Sequence, residues 1–332
     1  MNQNTYRKSS RDYTVELWRF IFCIVVLGFH FFIKTKYSFF RAGYLGVEFF
    51  FVLSGYGIYS YYMKQMHGRK MGERLYQFGL YIGKRLIRLY PLYLISLLCM
   101  LVFRAVSEGW GLVRVLKYFS HGWAEFLMLQ CGPLGNAVLI SAHWYVAAFF
   151  WGSVILLAVL MVSGRVGGYV LCPIASVLIY RYYFNLIGKI DVIYSYHAVI
   201  RAVAGLALGV LVGFLAEFLW KRVFEVKQLD GQTTTDSDTK WKKGIRYGVY
   251  IVANLALIGV VIYTNFGRRS KIDFLVIAIY AVAVLALFVT RIPLAEKKKA
   301  LFARLSGVTY PIYLFQMPII EMLFWVMALI QK

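Results

Sequence analysis

Charge is scarce in this chain, and acid is scarcer than base. Of 332 residues only 16% are charged, with 15 Asp and Glu against 37 Lys and Arg, while 61% are hydrophobic. A soluble domain cannot bury that much apolar surface, so a soluble globular class is excluded. Cysteine is rare: Cys23, Cys99 and Cys172 lie within apolar runs and Cys131 in a loop. None is in CxxC or metal-ligand spacing, so neither a disulfide framework nor a metal centre is expected. The sequence also lacks a zinc motif, a phosphate-cradling glycine loop and a nucleophile elbow. The net charge of +22 would suggest nucleic acid. The basic residues, however, cluster between apolar runs, as when Lys and Arg are kept on the cytoplasmic side near anionic lipid. Membrane lipid is therefore an expected partner and nucleic acid is not.

What the sequence has is apolar runs of spanning length. They fall at about 14–33, 43–63, 88–107, 143–163, 167–184, 197–220, 245–265, 272–290 and 308–330. Helices satisfy their own backbone in a bilayer, and these runs are too long for barrel strands. The expected fold is all-α, a polytopic bundle of about 9–10 membrane helices forming one domain over residues 1–332. With the N-terminus in the cytoplasm, the inner segments hold 23 basic residues and the outer ones 12. That bias supports the orientation, and an odd helix count puts Lys332 outside. The first run carries Glu16 and Arg19 and lacks a small-residue cleavage site after His30, so it is not a cleavable signal. No soluble domain is expected at either end. Residues 110–131 are aromatic and amphipathic, interrupted by Arg114, Lys117 and His121, and are expected to lie at the interface or re-enter. A polar stretch makes about 225–243 a flexible cytoplasmic loop.

Ionisable residues inside a membrane are costly and are functional candidates by default. Arg19 and His30 are eleven residues apart. At 100° per residue they share one helix face, about 16 Å apart along the axis. The turn of the first hairpin centres near position 39, which sets Glu48 level with His30. A carboxylate beside an imidazole fixes its tautomer and raises its basicity, the orienter-and-base arrangement of acyl transfer. The same arrangement also suits a buried pair that ties two helices together. Glu16 and Arg19 have ion-pair spacing at a helix end. Arg85 and Arg88 share a helix face and suit phosphate contacts, or lipid headgroups. His143 and Trp144 open a later helix. Arg201 lies inside an apolar run and needs an anionic or carbonyl partner. Tyr313 and Gln316 lie in the last run, where an amide bonds to another helix.

Together these motifs resemble the acyltransferase-3 family of bacterial integral-membrane O-acyltransferases. Arg19 and His30 match its R-x10-H pattern. GVEFFFVLSGY, residues 46–56, resembles its GV(D/E)-F-F-x-L-S-G stretch and supplies Glu48, Ser54 and Gly55. Arg85 and Arg88 match its RxxR, and His143-Trp144 resembles its H-x-W-type entry to a later helix. Arg201 with Gly205 and Gly209 resembles its R-x-x-x-G-x-x-x-G helix, and residues 306–318 resemble its final motif. The resemblance spans nearly the whole chain. It implies an acyl-CoA donor, usually acetyl-CoA, at the inner face of the cell's inner (plasma) membrane. It implies an acceptor hydroxyl on a surface polysaccharide or its lipid-linked precursor. His30 is then catalytic with Glu48 orienting it, and Arg19, Arg85 and Arg88 bind the donor. His143, Trp144, Arg201, Tyr313 and Gln316 are expected on the substrate side. Two positions depart from the pattern: Gln316 replaces the family's final-helix His, and Thr309 replaces its Ser. An amide cannot serve as a general base. A polysaccharide exporter or flippase of the same fold, without acyl transfer, is the alternative reading.

Overall fold

The computed structural model describes residues 12–35, 37, 39–132, 138–193, 195–224 and 236–331. The protein is 84% helical, with no strand among the described residues. Among the described residues, eight helices are long and apolar enough to cross a membrane, which makes this a multi-pass membrane protein. The helices, in chain order, are α1 Tyr13–Phe32, α2 Gly46–Gln65, α3 Met71–Ser107, α4 Leu112–Phe126, α5 Trp144–Ser163, α6 Cys172–Tyr182, α7 His197–Leu219, α8 Asp236–Phe266, α9 Ile272–Thr290, α10 Glu296–Gly307 and α11 Thr309–Ile330. Turns of π-helix flank α6 at Gly167–Leu171 and Tyr183–Ile187. Each apolar run read from the sequence coincides with one of these helices. α2 is less apolar than the eight but just as long.

Contacts between helices fix their relative directions. Along α1 and α11, Cys23 meets the Thr309 carbonyl, His30 meets Gln316 and Lys34 meets Glu321, so both run the same way. α3 joins this set: the Tyr310 hydroxyl donates to the Leu89 carbonyl, and Arg104 pairs with Glu321 further along. So does α8, through Thr14 with Tyr250 and Trp18 with Asn254. The opposite set contains α2, α5, α7 and α9. Glu48 meets Arg201 and Tyr59 meets Glu217 along α2 and α7, while Phe49 meets Tyr280 and Tyr56 stacks on Phe288 along α9. Gly152 of α5 packs on Leu206, beyond Trp144 under Arg201. α6 runs against α7, with Ser176 at Ala204 and Gly168 at Phe214. The spanning segments therefore alternate in direction along the chain.

This alternation requires that α4 does not cross. α3 and α5 have opposite senses with only α4 between them, and 15 residues reach about 22 Å, short of a hydrocarbon core about 30 Å thick. Most of α4 is exposed. Its Glu125 is buried and accepts hydrogen bonds from the backbone N–H groups of Leu139 and Ile140 and from the Tyr118 hydroxyl. That carboxylate anchors the chain leading into α5.

α2 and α7 form the most extensive helix interface and the centre of the bundle. Their backbones touch at Gly55 and Gly209, where a Cβ on either residue would run into a carbonyl oxygen of the other helix. Only glycine permits that approach. The stretch expected as a loop at about 225–243 is divided: residues 225–235 lie outside the described residues, and from Asp236 the chain is helical. α3 also begins at Met71, well before the apolar run at 88, because the amphipathic stretch ahead of it continues the same helix.

Candidate active site

The close approach of α2 and α7 brings a carboxylate and a guanidinium together inside the bundle. Arg201 Nε donates to Glu48 Oε1 at 2.6 Å, and both side chains are wholly buried. Tyr180 of α6 donates to the other Glu48 oxygen at 3.2 Å. Arg201 Nη1 reaches Asp191 at 3.4 Å, and Asp191 in turn accepts from Arg269 at 2.7 Å. The Arg201 guanidinium lies over the Trp144 ring, 5.0 Å from its centroid. Its Nη2 is buried with no hydrogen-bond partner. A buried ion pair of this kind holds its geometry because separating the partners would leave a bare charge in a medium of low dielectric.

The imidazole lies on a different wall. His30 Nδ1 is 3.3 Å from Gln316 Oε1, across the α1–α11 interface. Facing an amide oxygen, Nδ1 carries the proton and donates. Nε2 then keeps its lone pair and can accept a proton. The Gln316 Nε2 is buried without a partner, a free N–H donor beside the imidazole. Tyr313, one turn earlier, donates to the Ala142 carbonyl at 2.5 Å and ties α11 to the entry of α5.

These contacts revise the pairing expected from the sequence. Glu48 does not orient His30; its partners are Arg201 and Tyr180, and Gln316 holds the imidazole. Hairpin arithmetic fixes depth but not rotation about the helix axis, and rotation turns Glu48 toward α7. The need of Arg201 for an anionic partner is met by Glu48 and Asp191. Trp144 sits under Arg201, whereas His143 turns toward α3, with Nε2 3.1 Å from Ser96 Oγ and its ring against Tyr93.

Toward the other end of the bundle lies a set of cations. Arg19 pairs with Glu16 at 3.2 Å, as their spacing suggested. Arg85 stacks its guanidinium on Tyr81 and Phe149, at 4.8 and 4.5 Å. Tyr145 stacks on Phe149, the ring that lies under Arg85, and meets Tyr313 edge to face. Arg85 and Arg88 have no carboxylate partner among the described residues. Tyr145 thus stands between Arg85 and Tyr313 of α11. Nothing in its spacing marks it, and the same holds for Tyr180, Asp191 and Arg269.

A face of α1 therefore joins a cationic end at Arg19 to a proton acceptor at His30, about three helical turns away. The arrangement offers cations at one end of the bundle and a proton acceptor toward the other. Comparison with known families matches residues 12–329 to an acyltransferase domain, that of the acyltransferase-3 family. No curated protein and no solved structure matches the chain. The match covers nearly the whole of the helical bundle just described, and the chain belongs to the acyltransferase-3 family.

Proposed function

We propose that this membrane acyltransferase takes an acyl group, most simply acetyl, from acyl-CoA and places it on a hydroxyl of a surface polysaccharide or its lipid-linked precursor. The chain sits in the plasma membrane with its N-terminus in the cytoplasm, as the excess of Lys and Arg at the Arg19 end supports. Arg85 and Arg88 meet the phosphates of the donor, since guanidinium groups without carboxylate partners suit phosphate oxygens, and Arg19, paired with Glu16, adds positive charge beside them. The pantetheine arm runs along α1 toward His30.

The observation that carries this reading is the His30–Gln316 hydrogen bond. It leaves Nε2 of His30 as the base while the cations lie three turns away. His30 Nε2 accepts the proton of the acceptor hydroxyl as its oxygen attacks the thioester carbonyl. The C–S bond breaks, the new ester forms, and the proton leaves on the CoA thiol. Glu48 and Arg201 act from behind, fixing the α2–α7 wall. Proton transfer by a positioned base contributes on the order of 10²–10⁴ in rate.

The test uses membranes supplied with labelled acetyl-CoA and total glycan. His30→Ala and Arg88→Ala should each abolish label transfer, and undiminished transfer in both would overturn the proposal. An exporter of the same fold would bind no acyl-CoA, so donor binding to the purified protein separates the two readings.

A further inference from the structure

Beyond the His30–Gln316 pair the bundle opens into a groove of about 270 Å³ where α1, α3 and α11 end. Lys34 lies four residues past His30, and Glu321 five past Gln316. At 1.5 Å per residue the groove stands about 6–8 Å beyond the imidazole, on the side away from the cations. Its walls combine two chemistries. Phe103 and Trp325 meet edge to face, with centroids 6.0 Å apart. Around them Glu321 bridges Lys34 at 3.0 Å and Arg104 at 2.5 Å, and Arg104 also reaches Glu108 at 2.6 Å. The hydrogen bonds from Arg104 and then Trp110 hold the Glu108 carboxyl below its usual range, so it presents acceptor oxygens at neutral pH.

Every cation lining this groove already has a carboxylate partner. A site built for an anionic ligand would instead leave cations unpaired. Here ionised acceptors and donors alternate around aromatic faces. That pattern suits a neutral polyol ring, whose C–H faces pack on aromatics while its hydroxyls bond to the charged rim. The volume fits a single ring rather than a length of chain.

We infer that this groove is the acceptor subsite and holds one neutral pyranose residue of the glycan, presenting its hydroxyl to His30. The inference rests on the acyl-transfer reading for the identity of its ligand. Trp325 and Glu321 carry the specificity: Trp325 packs on the ring and Glu321 accepts from its hydroxyls.

The experiment has two arms, on wild type, Trp325→Ala and Ser107→Trp, the last filling the groove without removing a contact. The first arm is saturation-transfer NMR of the purified protein with neutral methyl hexopyranosides and with a methyl hexuronide. Wild type should bind the neutral glycosides in preference, and both variants should weaken that binding about tenfold or more. The second arm is transfer from labelled acetyl-CoA to a neutral glycan, where both variants should raise the acceptor KM by a similar factor with donor KM unchanged. Groove-dependent glycoside binding without any acyl transfer keeps the subsite and overturns the proposed reaction. Transfer with wild-type acceptor KM in both variants, or preference for the hexuronide, overturns the subsite.

Discussion

At the residue scale the site is set by two partnerships, and the sequence showed their members without their pairing. The cost of an ionisable group in an apolar run makes Arg201, Glu48, Arg19 and His30 conspicuous in any reading. Who meets whom depends on rotation about helix axes, which no spacing between separate helices supplies. Gln316 was conspicuous as a departure from a family pattern, and the structure gives it a task, since its Oε1 holds the Nδ1 proton of His30. Replacing it tests that task. Gln316→Leu should leave donor KM unchanged and lower kcat about a hundredfold, because the ring loses its tautomer and orientation. Steady-state kinetics with labelled acetyl-CoA measures it, and an unchanged kcat would remove Gln316 from the mechanism. Arg201→Met should cost about 3–5 kcal/mol, since it strands a buried Glu48 carboxylate. Adding Glu48→Gln should restore part of that loss, as read from denaturation in detergent. A double variant no more stable than the single would mean that Asp191 and Arg269, not Glu48, set the cost.

At the element scale hydropathy located the helices well, because a spanning helix must be apolar for most of its length. It failed where helices are polar. The first half of α3 and all of α10 are amphipathic or charged, so they carry no spanning signal although they are regular helices. The glycines of α2 differ in what surrounds them. Gly55 touches the α7 backbone, with the Gly209 Cα 2.8 Å from where its Cβ would stand, whereas nothing lies within 4 Å of a Cβ on Gly57. Opposite signs follow. Gly55→Ala should force α2 and α7 apart, break the geometry of Glu48 with Arg201, and destabilise the fold by about 1–3 kcal/mol as overpacking does. Gly57→Ala should be neutral or stabilising by up to about 1 kcal/mol, since alanine is the better helix former. Unfolding of the two variants side by side checks this, and equal effects would mean that the backbone contact does not limit the packing.

At the scale of the whole molecule, the alternating directions of the spanning segments decide which loops share a side of the membrane. The charge count chose an orientation, but it did so on averages, and the amphipathic character of residues 110–131 argued against a crossing between α3 and α5. The contacts bear on the crossing alone: α3 lies parallel to α1 and α11, and α5 lies parallel to α2 and α7, so the chain between them returns to the side it left. Gly111 and Ser141, both exposed, flank the α4 segment. Cysteines placed at these two positions, with Cys99 replaced by Ser, should react with a membrane-impermeant thiol reagent from the same face, together with a cysteine at Thr35. A cysteine at His67 or Ala300 should react only from the opposite face. In right-side-out vesicles the first group should label without permeabilisation, because the proposed orientation puts the Lys- and Arg-rich His67 end inside. Labelling of the second group alone would invert the molecule. That would carry the cationic end, with Arg85 and Arg88, away from cytoplasmic acyl-CoA, and the proposed donor would have no route to the site. Opposite labelling of Gly111→Cys and Ser141→Cys would instead make α4 a crossing segment, which cannot coexist with Arg201 of α7 lying over Trp144 at the start of α5 while α3 runs beside α11.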